Sequence, residues 1–140
     1  MGKHRSVGRL ISILHRASQM YFQRESLPLG LPHGQFQALH FIAENEGLPQ
    51  SQIQTHFELD KGSVSSLVKG LEKNGFIVRK SDELDKRAVK IYLTAKARKQ
   101  LPAINKVFKE WTCQLLAGFS DKEKETLFDY MGRMMANVKD

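Results

Sequence analysis

Apolar residues return every three or four positions over most of this chain, and the spacing switches to alternation in one stretch only. Val7, Leu10, Ile11, Leu14, Ala17 and Tyr21 keep the helical period, which predicts a long amphipathic helix over residues 6–26. Leu27-Pro28-Leu29-Gly30-Leu31-Pro32 breaks it. A second helix is expected beyond the break, burying Phe36, Leu39 and either Phe41 or Ile42. Glu46-Gly47-Leu48-Pro49 marks a turn, and Gln50–Phe57 reads as a short third helix anchored by Ile53 and Phe57. Asp60 suits the N-cap of a fourth helix, Lys61–Asn74, because its carboxylate can accept from the free N–H of Ser63. Gly75 is placed to end that helix in the left-handed conformation.

The alternation follows. Residues 76–80 and 89–93 are rich in β-branched and aromatic side chains and flank eight mostly polar or charged positions, which reads as a hairpin with a long loop. From Thr94, an expected N-cap, a helix runs to about Ala117 with Leu101, Ile104, Phe108, Trp111 and Leu115 on one side. Gly118 and Ser120-Asp121 separate it from a final helix carrying Leu127, Met131, Met134, Met135 and Val138. The expected fold is mainly α with a small β-hairpin wing (α+β). It is a winged helix-turn-helix in one domain spanning 1–140, with a DNA-binding lobe at 32–93 and dimerisation helices at 6–26 and 94–138. The terminal stripes exceed what a small winged-helix core can cover, so they are expected to bury against a second copy of the chain. The alternative is that they fold back on their own domain.

Charge sharpens the picture. Residues 61–99 hold eleven Lys/Arg against four Asp/Glu, a net +7, whereas the segments on either side are each neutral. A basic excess concentrated in the stretch that holds one helix and a hairpin is the footprint of a phosphate-backbone binder. On the fourth helix Val64, Leu67, Val68 and Leu71 form the inward stripe, so Gly62, Ser66, Lys69 and Lys73 point outward, flanked by Ser63 and Ser65. Serine can bond phosphate or base edges without bulk, and lysine adds charge or contacts guanine. Gly62 and Gly70 are expected to leave room for DNA against the backbone. In the loop Ser81–Ala88, Arg87 suits a narrow minor groove, and Asp85 could hold its guanidinium through a salt bridge. Arg79, Lys80 and Lys86 are expected near the phosphates.

The stretch Asp60–Ala97, DKGSVSSLVKGLEKNGFIVRKSDELDKRAVKIYLTAKA, resembles the core of the MarR (multiple antibiotic resistance regulator) family of winged-helix transcription factors. The resemblance rests on Ser63-Val64-Ser65, Leu71-Glu72, Gly75-Phe76-Ile77, Arg79, Asp85-x-Arg87 and Leu93-Thr94, with Leu31, Gln35 and Leu39 upstream. It implies an obligate homodimer on a pseudo-palindromic operator in double-stranded DNA, with recognition helices in major grooves and wings on flanking minor grooves. It also implies that Ser63, Ser65, Ser66 and Lys69 read the site and that Arg87 is the wing arginine, supported by Asp85. Gln54 and Ala97 depart from the family pattern, which has a small alanine and a glycine there. Many relatives bind small aromatic or phenolic anions, and His15 and Arg16 are the candidate contacts for such an effector.

Other chemistries find little purchase. The five histidines, His4, His15, His33, His40 and His56, show no metal-ligand spacing, and no cofactor is expected. Cys113 is the only cysteine, which fits a reducing, cytoplasmic setting and reads as a passive thiol. No nucleophile elbow or phosphate loop is present, so an enzyme is not expected. Met1-Gly2-Lys3-His4-Arg5-Ser6 fits the short myristoylation template, but nothing else points to a membrane. The competing reading is a non-specific architectural DNA- or RNA-binding dimer using the same basic face. A weaker third is a small-molecule binder that has lost its DNA function.

Overall fold

Ser6 opens the first helix, α1 (Val7–Ser26), because its extended backbone lets the hydroxyl accept from the N–H of Arg9 at 3.1 Å. The computed structural model describes residues 5–139. The Met1–His4 part of the acylation template lies outside them, as does the side chain of His33. The chain forms two compact units, Met1–Val107 and Phe108–Asp140.

In the first unit only the end of α1 is buried, through Tyr21, Phe22 and Ser26. The Tyr21 hydroxyl donates to the carbonyl of Val107 at 3.0 Å. The stripe Val7, Leu10, Ile11 and Leu14 stays 51–58% exposed. A 3-10 turn, Leu27–Leu29, and Gly30 at φ +70° lead into α2 (His33–Glu44). There Phe36, Leu39 and Ile42 are fully buried. Each such side chain contributes about 1.5–3 kcal/mol by leaving water. Ile42 thus takes the core place left open between it and Phe41. Phe41 is half-buried and stacks on His56 with ring centres 3.8 Å apart.

The third helix, α3 (Gln50–Phe57), has the expected bounds and buries Ile53. Glu58 adopts φ +51° to make the tight turn into α4 (Lys61–Lys73). In α4 Val64, Val68 and Leu71 are buried and Leu67 is half-buried. Gly75 at φ +79° ends the helix, and the Phe76 N–H closes back on the carbonyl of Leu71 at 2.9 Å. That closure is why β1 (Ile77–Ser81) starts one residue later than the alternation predicts.

β1 pairs antiparallel with β2 (Val89–Leu93), from Ile77 opposite Leu93 to Ser81 opposite Val89. The α2–α3 turn adds an isolated bridge to the outer side of β2. Gly47 N–H donates to Ile91 O at 2.8 Å, Ile91 N–H donates to Leu48 O at 3.0 Å, and Pro49 bridges Lys90. Thr94 caps α5 (Ala95–Leu115) by accepting from Ala97 N–H at 3.2 Å, and Ala97, Ile104 and Val107 are buried. The helix ends two residues short of the expected limit.

The second unit holds the end of α5, Gly118 at φ +85°, and α6 (Asp121–Val138). A capping box starts α6: the Ser120 hydroxyl accepts from Glu123 N–H at 3.1 Å, and the Glu123 carboxylate accepts from Ser120 N–H at 2.8 Å. No residue of α6 is buried, and Met131, Met134, Met135 and Val138 lie open. Among the described residues no helix is long and apolar enough to cross a membrane.

Candidate nucleic-acid interface

Because Val64, Val68 and Leu71 face the core, Ser63, Ser66, Lys69 and Lys73 are exposed on the far side of α4, with Ser65 half-buried. The Asp60 carboxylate caps this helix. It accepts from Ser63 N–H at 2.7 Å and from the Ser63 hydroxyl at 3.0 Å. These bonds, the backbone one first, hold Asp60 below the usual carboxylate range. Ser63 therefore spends its hydroxyl hydrogen inward and offers only lone pairs outward. The Ser66 hydroxyl makes no intramolecular hydrogen bond among the described residues.

The carboxyl end of α4 is gripped from three sides. Arg79 on β1 forms a paired contact with Glu72, Nε to Oε2 at 3.2 Å and Nη2 to Oε1 at 3.1 Å. From α2, Gln35 Oε1 accepts from Asn74 Nδ2 at 2.9 Å. Lys96 Nζ at the start of α5 donates to Asn74 O at 2.6 Å, and Thr94 Oγ1 donates to Gly75 O at 2.6 Å. Gly70 belongs to this packing and not to a DNA-facing surface. A Cβ there would lie 2.6 Å from Gln35 Nε2, so the glycine makes room for α2. Gly62 keeps the outward place expected of it.

The loop between the strands is pinned by its own acids. Asp82 accepts from Leu84 N–H at 2.9 Å and pairs with Lys90 at 3.3 Å; these contacts, the backbone bond foremost, lower its pKa. Asp85 accepts from the backbone N–H of Arg87 at 3.0 Å. The expected salt bridge to the Arg87 guanidinium is replaced by this turn. A carboxylate two residues back reaches the near N–H more easily than the end of a long side chain. Asp85 thus shapes the loop and leaves the Arg87 charge uncommitted to it, while Lys86 is exposed beside it. Lys80 lies over the Tyr92 ring at 5.2 Å.

Arg87 reaches a cleft of about 430 Å³ that it lines with Lys61, Arg79, Gln50, Ser51 and Gln54, among others. Lys61 and Arg87 thus meet where α3, α4 and the wing come together, beside Arg79, whose charge is paired with Glu72. Lys61 and the start of α3 were not among the residues singled out from sequence. Position one of a capped helix, adjoining the serine face, was the signal for Lys61. Gln54, the departure from the family pattern, stands in the cleft wall.

His15 and Arg16 are exposed on α1. His40 Nε2 lies 3.2 Å from Glu44 Oε1, and burial lowers its pKa against the opposing pull of Glu44. Cys113 is exposed. Among the described residues no group of three or more His, Cys, Asp or Glu could hold a metal ion.

The sequence profile of the MarR family matches residues 29–88. An uncharacterized HTH-type transcriptional regulator, YybA of Bacillus subtilis (strain 168), is 30% identical over 131 residues, covering 94% of this chain and 87% of that protein. The crystal structure of a putative MarR family transcriptional regulator from Listeria monocytogenes, complexed with 26mer DNA, superposes with a TM-score of 0.91 at 28% identity. It covers 96% of this chain and 90% of the other. A MarR transcriptional regulator from Methanosarcina mazei Go1 gives a TM-score of 0.86 at 29% identity, with 94% of each chain covered. With that fold and a basic, serine-lined α4 beside a cationic wing, the chain belongs to the MarR family of DNA-binding winged helix-turn-helix transcriptional regulators.

Proposed function

We propose that this regulator is a ligand-responsive homodimeric repressor that acts in the cytoplasm on a pseudo-palindromic operator. The observation that carries the reading is the exposed face Ser63, Ser66, Lys69 and Lys73, set beside a cleft that Lys61 and Arg87 line. Phosphate contacts fix register on a duplex, and short polar side chains on a helix read base edges in the major groove. Homodimerisation is supported by the open apolar stripes on α1 and α6. Two heads related by a dyad call for an operator with matching symmetry. The proposed effector is a small aromatic or phenolic anion met by His15 and Arg16. It would act by favouring a spacing of the two heads that DNA cannot accept.

Fluorescence anisotropy over a salt series tests this, with DNA flanking the gene against a scrambled duplex. A specific regulator prefers its site by roughly a thousandfold or more. Equal binding with equal salt slopes would favour the architectural reading. Arg87→Ala weakens operator binding with little change in thermal stability. Ser66→Ala shifts base preference more than overall affinity, and a uniform loss across sequences would reassign Ser66 to phosphate.

A further inference from the structure

Glu46, in the turn between α2 and α3, ties together parts of the molecule that the sequence separates widely. Its neighbours Gly47 and Leu48 ladder with Ile91 through backbone hydrogen bonds. On the same edge the N–H of Leu93 is met by a side chain, Glu46 Oε1, at 3.1 Å. The same oxygen accepts from the guanidinium of Arg98, on the first turn of α5. The helix-turn-helix, the wing and α5 therefore share one carboxylate. The Arg98 hydrogen bond, with help from the Leu93 N–H, keeps that carboxylate ionised against the cost of burial.

The pair is partly open to solvent, with side-chain exposures of 28% for Glu46 and 54% for Arg98. Ion pairs so exposed add little to stability. The contribution left to them is geometric. We infer that Glu46 and Arg98 are positioning residues that set the angle of the reading head on the first turns of α5, and with it the distance between two heads. The inference rests on the homodimeric reading above. A displacement of about 3.4 Å at α4 equals one base-pair step, so a small tilt changes which half-site spacing is accepted.

The test uses the full-length protein and a palindromic operator with its native spacer, one base pair added, or one removed. Glu46→Gln keeps an acceptor for the Leu93 N–H but loses the charge that holds Arg98. Arg98→Met removes the other partner and keeps the aliphatic stem. Both variants are expected to lose affinity several-fold on the native spacing and to lose much of the discrimination between spacings. Their binding to a scrambled duplex and their melting temperatures should match the wild type. The inference is overturned if both variants keep the wild-type spacing profile, or if affinity falls by the same factor on every duplex. A wild-type protein without operator preference would instead bring down the functional reading, before any variant is compared.

Discussion

Ser63 and Ser66 stand three positions apart on α4, yet under the proposed function they would bring different chemistry to a duplex. The Ser63 hydroxyl donates to Asp60 at 3.0 Å and can only accept from DNA, whereas phosphate needs donors. Ser66 can donate, which makes it the stronger phosphate or base-acceptor contact. Asp60→Ala should release the Ser63 hydrogen while removing the cap, so thermal stability falls. The folded pKa of Asp60 is lowered, so its stabilisation is present above the unfolded value and disappears as pH falls through the folded one. Urea midpoints of wild type and Asp60→Ala should therefore differ most near neutrality, and the difference should shrink as the medium is acidified past the ordinary aspartate range and Asp60 takes up its proton. A gap of constant size across that range would assign the cap no electrostatic part. The cap itself was legible in the sequence, since an Asp three residues before a serine N–H is a local signal. The direction of the Ser63 hydrogen was not, because it depends on a rotamer.

At the scale of elements, α4 is held by residues far from it in sequence. Gly70 shows the balance involved. Alanine in place of a mid-helix glycine gains about 1 kcal/mol of helix propensity. Here the new Cβ would sit 2.6 Å from Gln35 Nε2 and push that side chain off Asn74, giving up a hydrogen bond worth about 1 kcal/mol. Gly70→Ala should leave stability nearly unchanged, while in a Gln35→Ala background the same substitution should stabilise by about 1 kcal/mol. Chemical denaturation of the four proteins checks the cycle; equal effects in both backgrounds would remove the crowding argument. The helices were legible because caps and apolar spacing are local properties. The bridge that Gly47–Pro49 makes to β2 was not, since three residues are too few for alternation to register. The contact between Glu72 and Arg79 escaped for another reason: a helix end and a reversal of the chain lie between them.

For the whole molecule, the open stripes on α1 and α6 are the basis of the proposed dimer. Leu10 is 58% exposed and Met131 46% exposed within rows of apolar neighbours. In a symmetric dimer each substitution counts twice. Leu10→Glu should thus weaken association by about 2–3 kcal/mol, twice the burial value of the part of one leucine that stands open. Sedimentation velocity should show a monomer at concentrations where the wild type is dimeric, with operator affinity lost alongside. A dimer that survives the substitution would place the interface elsewhere. The sequence made these stripes visible, but periodicity alone does not say which surface covers them. The wing carries a separate consequence for the life of the protein in a crowded cell. Of its two strands, β2 is met on its outer side by Gly47–Pro49, and Pro49 has no N–H to offer a newcomer. That leaves β1 as the side with no strand beside it among the described residues, the kind of surface on which another chain can add a strand and begin to aggregate. Along β1 stand exposed Lys80 and Arg79, the latter paired with Glu72, and charged side chains of this kind make an open strand a poor template for a neighbouring chain.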